Sequence, residues 1–209
     1  MCIRDRPSSG VTAFNPSKLT YQVASAFAQD EIHLLNDRLV LTFGATIEHD
    51  LFSGWQLQPT ARALWAPDKH HSVWAAVSKA VRTPSLYERS VNADVLSQPA
   101  SPATLGLPWV LDVAGSQQYS SENLRAYETG YRSQLSPHLS IDIAGFYDDY
   151  RDLRTQNPLP ASLVFGTQPY LLVPFVFTNN ENARAVGGEL SVVYHPVSWW
   201  KVELSLIHI

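Results

Sequence analysis

Cysteine is almost absent: the 209-residue chain has one, Cys2. That count excludes a disulfide scaffold and any cysteine-pair zinc site. Charge is scarce too, at 16% Asp, Glu, Lys and Arg, against roughly 25% in soluble domains. The formal net charge of −4 argues against a nucleic-acid partner. No apolar run approaches the roughly 18 residues of a membrane helix, and the longest, Leu171–Phe177, is broken by Pro174. Gly-x-Ser-x-Gly and phosphate-loop patterns are missing. His33, His49, His70, His71, His138 and His195 lack the spacing of a helical metal motif. The expectation is therefore no enzyme, no metal site and no cofactor. What is present is 45% hydrophobic residues, with 6 Trp, 9 Tyr and 8 Phe. This composition fits a soluble domain or a membrane β-barrel, whose apolar residues are diluted by alternation.

The two ends carry a signal that is not protein physics. Residues Met1-Cys2-Ile3-Arg4-Asp5-Arg6 can be encoded by ATG TGT ATA AGA GAC AGx. The reverse complement, without the open base, is CTG TCT CTT ATA CAC AT. It translates as Leu-Ser-Leu-Ile-His-Ile, the residues Leu204 to Ile209. An inverted tag at both ends of a DNA fragment produces this relation, so 1–6 and 204–209 read as adapter-derived. The native segment is then expected to be 7–203, without cysteine.

Period-2 alternation, the mark of half-buried strands, dominates what remains. Leu39, Leu41, Phe43, Ala45 and Ile47 alternate with Val40, Thr42, Gly44, Thr46 and Glu48. A second run starts at Leu139 and continues through Tyr147 to about Leu153, and a third covers Val186–Tyr194. Leu19–Leu34, Gln58–Ala66, Ser72–Arg82, Leu124–Gln134 and a run from Trp199 are weaker candidates. In Ser72–Arg82 both faces carry Ala and Val, so inside and outside stay unassigned. That makes about eight strands, several as long as the 9–11 residues of a tilted membrane crossing. Short turns at 36–38, 67–69, 136–138 and 196–198 alternate with longer links at 50–56, 83–123 and 154–184. An outer-membrane up-and-down barrel has this rhythm, with tight turns on the periplasmic side and long loops outside.

The same segments resemble the C-terminal β-barrel of TonB-dependent outer-membrane receptors. Phe27-Ala28-Gln29-Asp30-Glu31 followed by Leu39-Val40-Leu41-Thr42-Phe43-Gly44 is similar to a hairpin of that family. So are Trp74–Tyr87 with its Arg-x-Pro-Ser step, Ser121–Arg154 with Glu128-Thr129-Gly130-Tyr131-Arg132, and Asn179–Leu190. The resemblance implies an all-β fold: an antiparallel up-and-down transmembrane β-barrel fragment, about eight strands of a larger plugged barrel, open and curved by itself. It implies a Gram-negative outer-membrane location, outer-membrane lipid around the wall, and a TonB complex as partner through a plug domain. It further implies uptake of a scarce nutrient, a ferric siderophore first, with cobalamin or haem as other options. A passive porin and, behind it, a soluble β-sandwich binding module remain as alternatives.

Two sets of residues follow from that reading. Charge on a lipid face is costly, so Glu128, Arg132, Asp142 and Glu189 should face the lumen and meet one another, water or a plug. Trp109, Tyr119, Tyr170 and Phe175 are the outer-loop candidates for a metal-chelate or similar ligand. With Phe165 and Phe177 they read as exposed loop aromatics, the alternative being loop–loop packing over the barrel mouth.

Overall fold

A computed structural model describes residues 12–16 and 18–209; Met1–Arg6, the first of the two expected tags, lies outside the described residues. In chain order the elements begin with β1 (Thr12–Phe14), β2 (Val23–Leu34), β3 (Leu39–Asp50), β4 (Gly54–Trp65) and β5 (His71–Arg82). Helix α1 (Leu86–Ser90), β6 (Val91–Gln98), a short 3-10 turn (Pro102–Thr104) and β7 (Trp109–Ala114) follow. The chain continues with β8 (Glu122–Ser136), β9 (Leu139–Pro158), β10 (Ser162–Val164), β11 (Tyr170–Val197) and β12 (Trp200–His208). Two compact units divide it. One holds Thr83–Glu122 and Asp152–Glu181 with the N-terminal residues; the other holds Val23–Arg82, Asn123–Arg151 and Asn182–Ile209.

The second unit is the alternating part of the sequence. Its hydrogen-bonded order is β2-β3-β4-β5-β8-β9-β11-β12. Each of the pairs β2–β3, β3–β4, β8–β9 and β11–β12 runs antiparallel and in sequence order. Because the side-chain period is two, register sorts the residues by face. Phe43, Ala61 and Val77 are direct neighbours across β3, β4 and β5, as are Tyr127 and Tyr147 across β8 and β9. With Trp55, Leu57, Trp65, Val73 and Ile143 they form an exposed apolar face. In water such a face would cost about 25 cal/mol per Å²; against hydrocarbon it is what a barrel wall needs.

The opposite face is polar or small, and it settles the ambiguity of 72–82. Trp74 turns to this side, where the Arg62 guanidinium lies 4.8 Å from its ring centre. A Cβ on Gly130 would come within 2.7 Å of Trp74 Cε2, so only glycine lets the indole lie on the β8 backbone.

The turns are made by local chemistry. Leu35, Asn36 and Asp37 adopt left-handed conformations with φ of 54°, 55° and 65° between β2 and β3. The link expected to span 50–56 is shorter, leaving only 51–53 outside strands. Asp50 Oδ1 accepts the N–H groups of Phe52 at 2.6 Å and Ser53 at 2.9 Å, and Gly54 takes a φ of +64°. This link is as tight as the others, so the strict alternation of short and long connections fails there.

The two long links also depart from the expectation. Segment 83–123 contains α1, β6 and β7, while β9 and β11 extend deep into 154–184. In the first unit β6 pairs antiparallel with β1 and β7, and β7 pairs parallel with β11 through Pro174 opposite Asp112. β7 and the start of β11 escaped the alternation because they are near-contiguous apolar stretches, and β6 escaped because its buried/exposed alternation covers only Val91–Ala93. At the other end, Leu204–His208 continue β12 opposite Gly188–Val192. A Leu-Ser-Leu pattern alternates as a strand does, whatever its DNA origin.

Candidate functional site

The most deeply buried acid of the first unit is Glu88. Ser85 caps α1: its hydroxyl accepts the Glu88 N–H at 3.3 Å, while Glu88 Oε2 accepts the Ser85 N–H at 2.9 Å. This reciprocal box holds the first turn of a helix too short to persist alone. Glu88 is 1% exposed, and burial of a carboxylate demands partners. Arg154 supplies one, its Nη1 lying 3.2 Å from Glu88 Oε1. The Tyr119 hydroxyl lies 3.4 Å from the same oxygen and donates to Glu122 Oε1 at 2.8 Å. Arg154 also donates its backbone N–H to Glu122 at 3.2 Å and stacks 5.8 Å from the Phe177 ring centre.

Around this polar centre sits the apolar core of the unit: Val91, Ala93, Val113, Tyr119 and Phe177, with Leu111 and Phe175 packed against it. Tyr87 and Tyr119 meet Phe177 edge-on at 5.6 and 6.4 Å. Burying a ring the size of Phe177 contributes about 1.5–3 kcal/mol. Asn179 ties the outer strands together: its Oδ1 accepts the Ser120 N–H at 2.7 Å, and its Nδ2 donates to the carbonyls of Ser120 at 3.1 Å and Asp152 at 2.7 Å.

The candidate ligand-binding aromatics separate in this arrangement. Tyr119 is a core residue and Phe175 packs on the core. Trp109, half-buried, stands opposite Leu171 on β7 and β11, in the same register row as Phe175 opposite Val113. Tyr170, half-buried, pairs with Val164 and is odd in register to that row. Phe177 is buried, and of the loop aromatics Phe165 alone is fully open, at 81% exposure. The expectation of exposed aromatics is corrected for Tyr119, Phe175 and Phe177, because these rings supply the apolar surface of the first unit's core.

The polar candidates share a face in the second unit. Arg132 and Asp142 are direct cross-strand partners. Arg132 donates from Nε to Asp142 Oδ2 at 2.7 Å, and its Nη2 contacts the same oxygen. Ser191 and Val193 line a cavity of about 330 Å³ beside this pair, and Glu189 lies two residues earlier on the same side of β11. Glu128 lies on the same side of β8, two residues before Gly130.

Chemistry the sequence did not flag gathers at two places. At the short-turn end, Asp68, His70, His71, His138 and His195 line a cavity of about 470 Å³. Asp68 Oδ1 accepts the N–H groups of His70 at 2.7 Å and His71 at 3.0 Å. The His70 N–H above all, with the charge of His71, holds the Asp68 carboxyl below its ordinary value. Among the described residues no cluster of His, Cys, Asp and Glu is arranged to hold a metal ion. In the first unit Asp112 faces Asp94 across β7 and β6. It is buried, its Oδ1 lacks a hydrogen-bond partner, and burial first, then the Asp94 charge, pushes its pKa up. The capping box at Ser85-x-x-Glu88 was readable as a four-residue pattern; the Asp94–Asp112 pairing has no local signature.

Comparison with known proteins gives this geometry a family. A model described as TonB dependent receptor-like, beta-barrel, matches residues 4–207. An iron-regulated outer membrane virulence protein of Vibrio cholerae is 25% identical over 175 residues, covering 80% of this chain and 24% of that protein. The ferric enterobactin receptor PfeA of Pseudomonas aeruginosa, as a double mutant, superposes with a TM-score of 0.74 at 18% identity. The siderophore receptor PirA of Acinetobacter baumannii superposes at 0.70 and 16%. Both cover 90% of this chain, which spans 26% and 27% of theirs. The chain thus spans about a quarter of the length of the proteins it matches. Its fold is an outer-membrane fold, its strands are a transmembrane β-barrel fragment, and its family is one of transport receptors and not an enzyme class. The chain belongs to the TonB-dependent receptor-like β-barrel family.

Proposed function

We propose that the protein containing this chain is an outer-membrane active-transport receptor. It binds a scarce metal-chelate nutrient at its outer elements, a ferric siderophore foremost, and imports it with energy supplied by TonB. The observation that carries this reading is the family match over 4–207. The matching relative is named as iron-regulated, and the similar structures are of siderophore receptors, one of them in complex with enterobactin. A family of TonB-dependent receptors disfavours the passive porin, which needs no energy partner.

Within that function the residues divide by accessibility. Trp109 and Tyr170 are half-buried and are the aromatics to meet a ligand. Tyr119 and Phe175 belong to the packed core of the first unit. Glu128, Arg132, Asp142 and Glu189 contact the plug domain of the whole receptor across the lumen. The TonB complex acts through that plug.

The test is growth of the parent bacterium on single ferric siderophores under iron limitation, with the receptor gene deleted and restored. Growth on one chelate should require both the receptor and TonB, and Trp109→Ala with Tyr170→Ala should raise the chelate concentration needed. Uptake that persists without TonB, or solute flux through receptor-containing liposomes without an energy source, would return the porin reading.

A further inference from the structure

The apolar face of the second unit is not smooth. Ala61, Ala63 and Ala75, neighbours in register across β4 and β5, leave a shallow trough of about 280 Å³ walled by Leu41 and Phe43. It shares Phe43, Ala61 and Val77 with a wider groove of about 480 Å³ that reaches Tyr127. At the rim of that groove stand two cations, Lys79 and Arg125. From Lys79 to Ala75 the strand advances about 13 Å, so a long apolar track descends from a positively charged head.

Two features separate this rim from ordinary interfacial cations. A lone Lys or Arg on a barrel wall extends its head toward the headgroups. Lys79 and Arg125, however, lie side by side on one groove, and like charges on adjacent strands repel unless an anion bridges them. No carboxylate here supplies that anion. Asp149, directly opposite Arg125 in register, is engaged by Arg151 at 2.8 Å and Arg184 at 3.9 Å. Neither Lys79 nor Arg125 has an ion-pair partner among the described residues. Asp149 thus lines a separate cavity with Arg151 and Arg184, while Lys79 and Arg125 stand at the groove.

Its depth is that of a headgroup. Tyr127 and Tyr147, with rings 6.2 Å apart, lie two residues below Arg125 and Asp149, as an interfacial aromatic girdle does. Lys79 lies three residues from the end of β5 and Arg125 three residues into β8. Both ends adjoin the long 83–123 connection, and long connections lie on the outer side.

We propose that this groove binds a phosphate-bearing acyl lipid of the outer leaflet, Lys79 and Arg125 holding a phosphate and the alanine trough an acyl chain. Arginine's planar fork and lysine's compact ammonium are both phosphate ligands. The site rests on outer-membrane placement alone and is independent of which nutrient the receptor binds.

The test is titration of the full-length receptor, purified in dodecyl maltoside, with a bisphosphorylated hexa-acyl lipid followed by native mass spectrometry. One tightly bound lipid per receptor is expected. Binding should fall at least tenfold in the Lys79→Gln/Arg125→Gln double variant, and similarly in Ala63→Trp, which fills the trough. Lys79→Arg should bind as the parent does. The dephosphorylated lipid, titrated into the unmodified receptor, should also bind at least tenfold more weakly; this arm needs no variant to fold. Equal binding of phosphorylated and dephosphorylated lipid would overturn the proposal. So would displacement of the lipid by inorganic phosphate at matching concentration, which would mark a free-phosphate site. Growth on the cognate chelate should be unchanged in the double variant, so failure of this site and failure of the transport reading are read separately.

Discussion

Gly130 lies against the indole of Trp74, close enough that any Cβ would overlap the Trp74 ring. The contact crosses from β8 to β5 on the polar face and extends to Arg62, which stacks on the other residue of the pair at 4.8 Å. An aromatic ring laid over a strand glycine shields backbone that no side chain covers. Gly130→Ala should therefore destabilise the folded wall by about 1–3 kcal/mol, the usual cost of overpacking. Trp74→Ala in the same chain should recover most of that loss. Urea unfolding of the refolded receptor, read by tryptophan fluorescence and gel mobility, measures both; additive losses would show that the two residues do not share the contact.

Glu88 is buried with Arg154, Tyr119 and its own cap as partners. Glu88→Ala removes the acid and leaves those groups unmatched, at about 1–3 kcal/mol. The loss should stay local, because the Glu88 cluster lies within one unit. Limited proteolysis should then cut 83–122 faster while 123–151 keeps its protection. Glu88→Gln, which retains hydrogen bonding without charge, should fall between the parent and Glu88→Ala.

Asp112 gives a pH dependence of definite sign. Burial, then the facing Asp94, raises its pKa in the folded state, above the unfolded value of about 3.9. The folded state therefore holds a proton that the unfolded chain has released, and stability falls as pH rises through that window. Above the folded pKa the penalty is complete. Asp112→Asn should protect the first unit against proteolysis at pH 7.5 and make little difference at pH 4. Equal protection of parent and variant at both values would remove Asp112 as the cause.

Arg132 and Asp142 invite a larger claim than their surroundings support. Their side chains are 72% and 33% exposed, so water screens the pair, and its coupling should be only about 0.2–1 kcal/mol. A double-mutant cycle with Arg132→Gln and Asp142→Asn should find that value and see it shrink in molar salt. A coupling of several kcal/mol in the whole receptor would mean that another part of the protein covers the pair and desolvates it.

Much of the wall was legible without coordinates. Alternation at Leu39–Ile47 and at Leu139–Leu153 reports a strand with two different environments, and each maps onto an observed strand. The long links were legible only as lengths. Phe175 and Phe177 read as exposed because they lie outside any alternating run, yet Phe177 is buried against Val113 and Tyr119. Burial there comes from chain segments tens of residues away, which no local pattern encodes.

By itself the sequence determined the strand period, the faces of the clearly alternating runs, the tight turns with their Asn and Asp residues, and membership in a barrel family. Each of these depends on neighbours within a few positions, where side-chain alternation and backbone preferences act. Tertiary structure decided the rest: that Glu88 meets Arg154, that Asp112 opposes Asp94, that Trp74 covers Gly130, and that Lys79 shares a groove with Arg125. Those relations join residues 18 to 66 positions apart. Pairing across strands, and for Glu88 the packing of α1 against the strand that carries Arg154, brings them into contact.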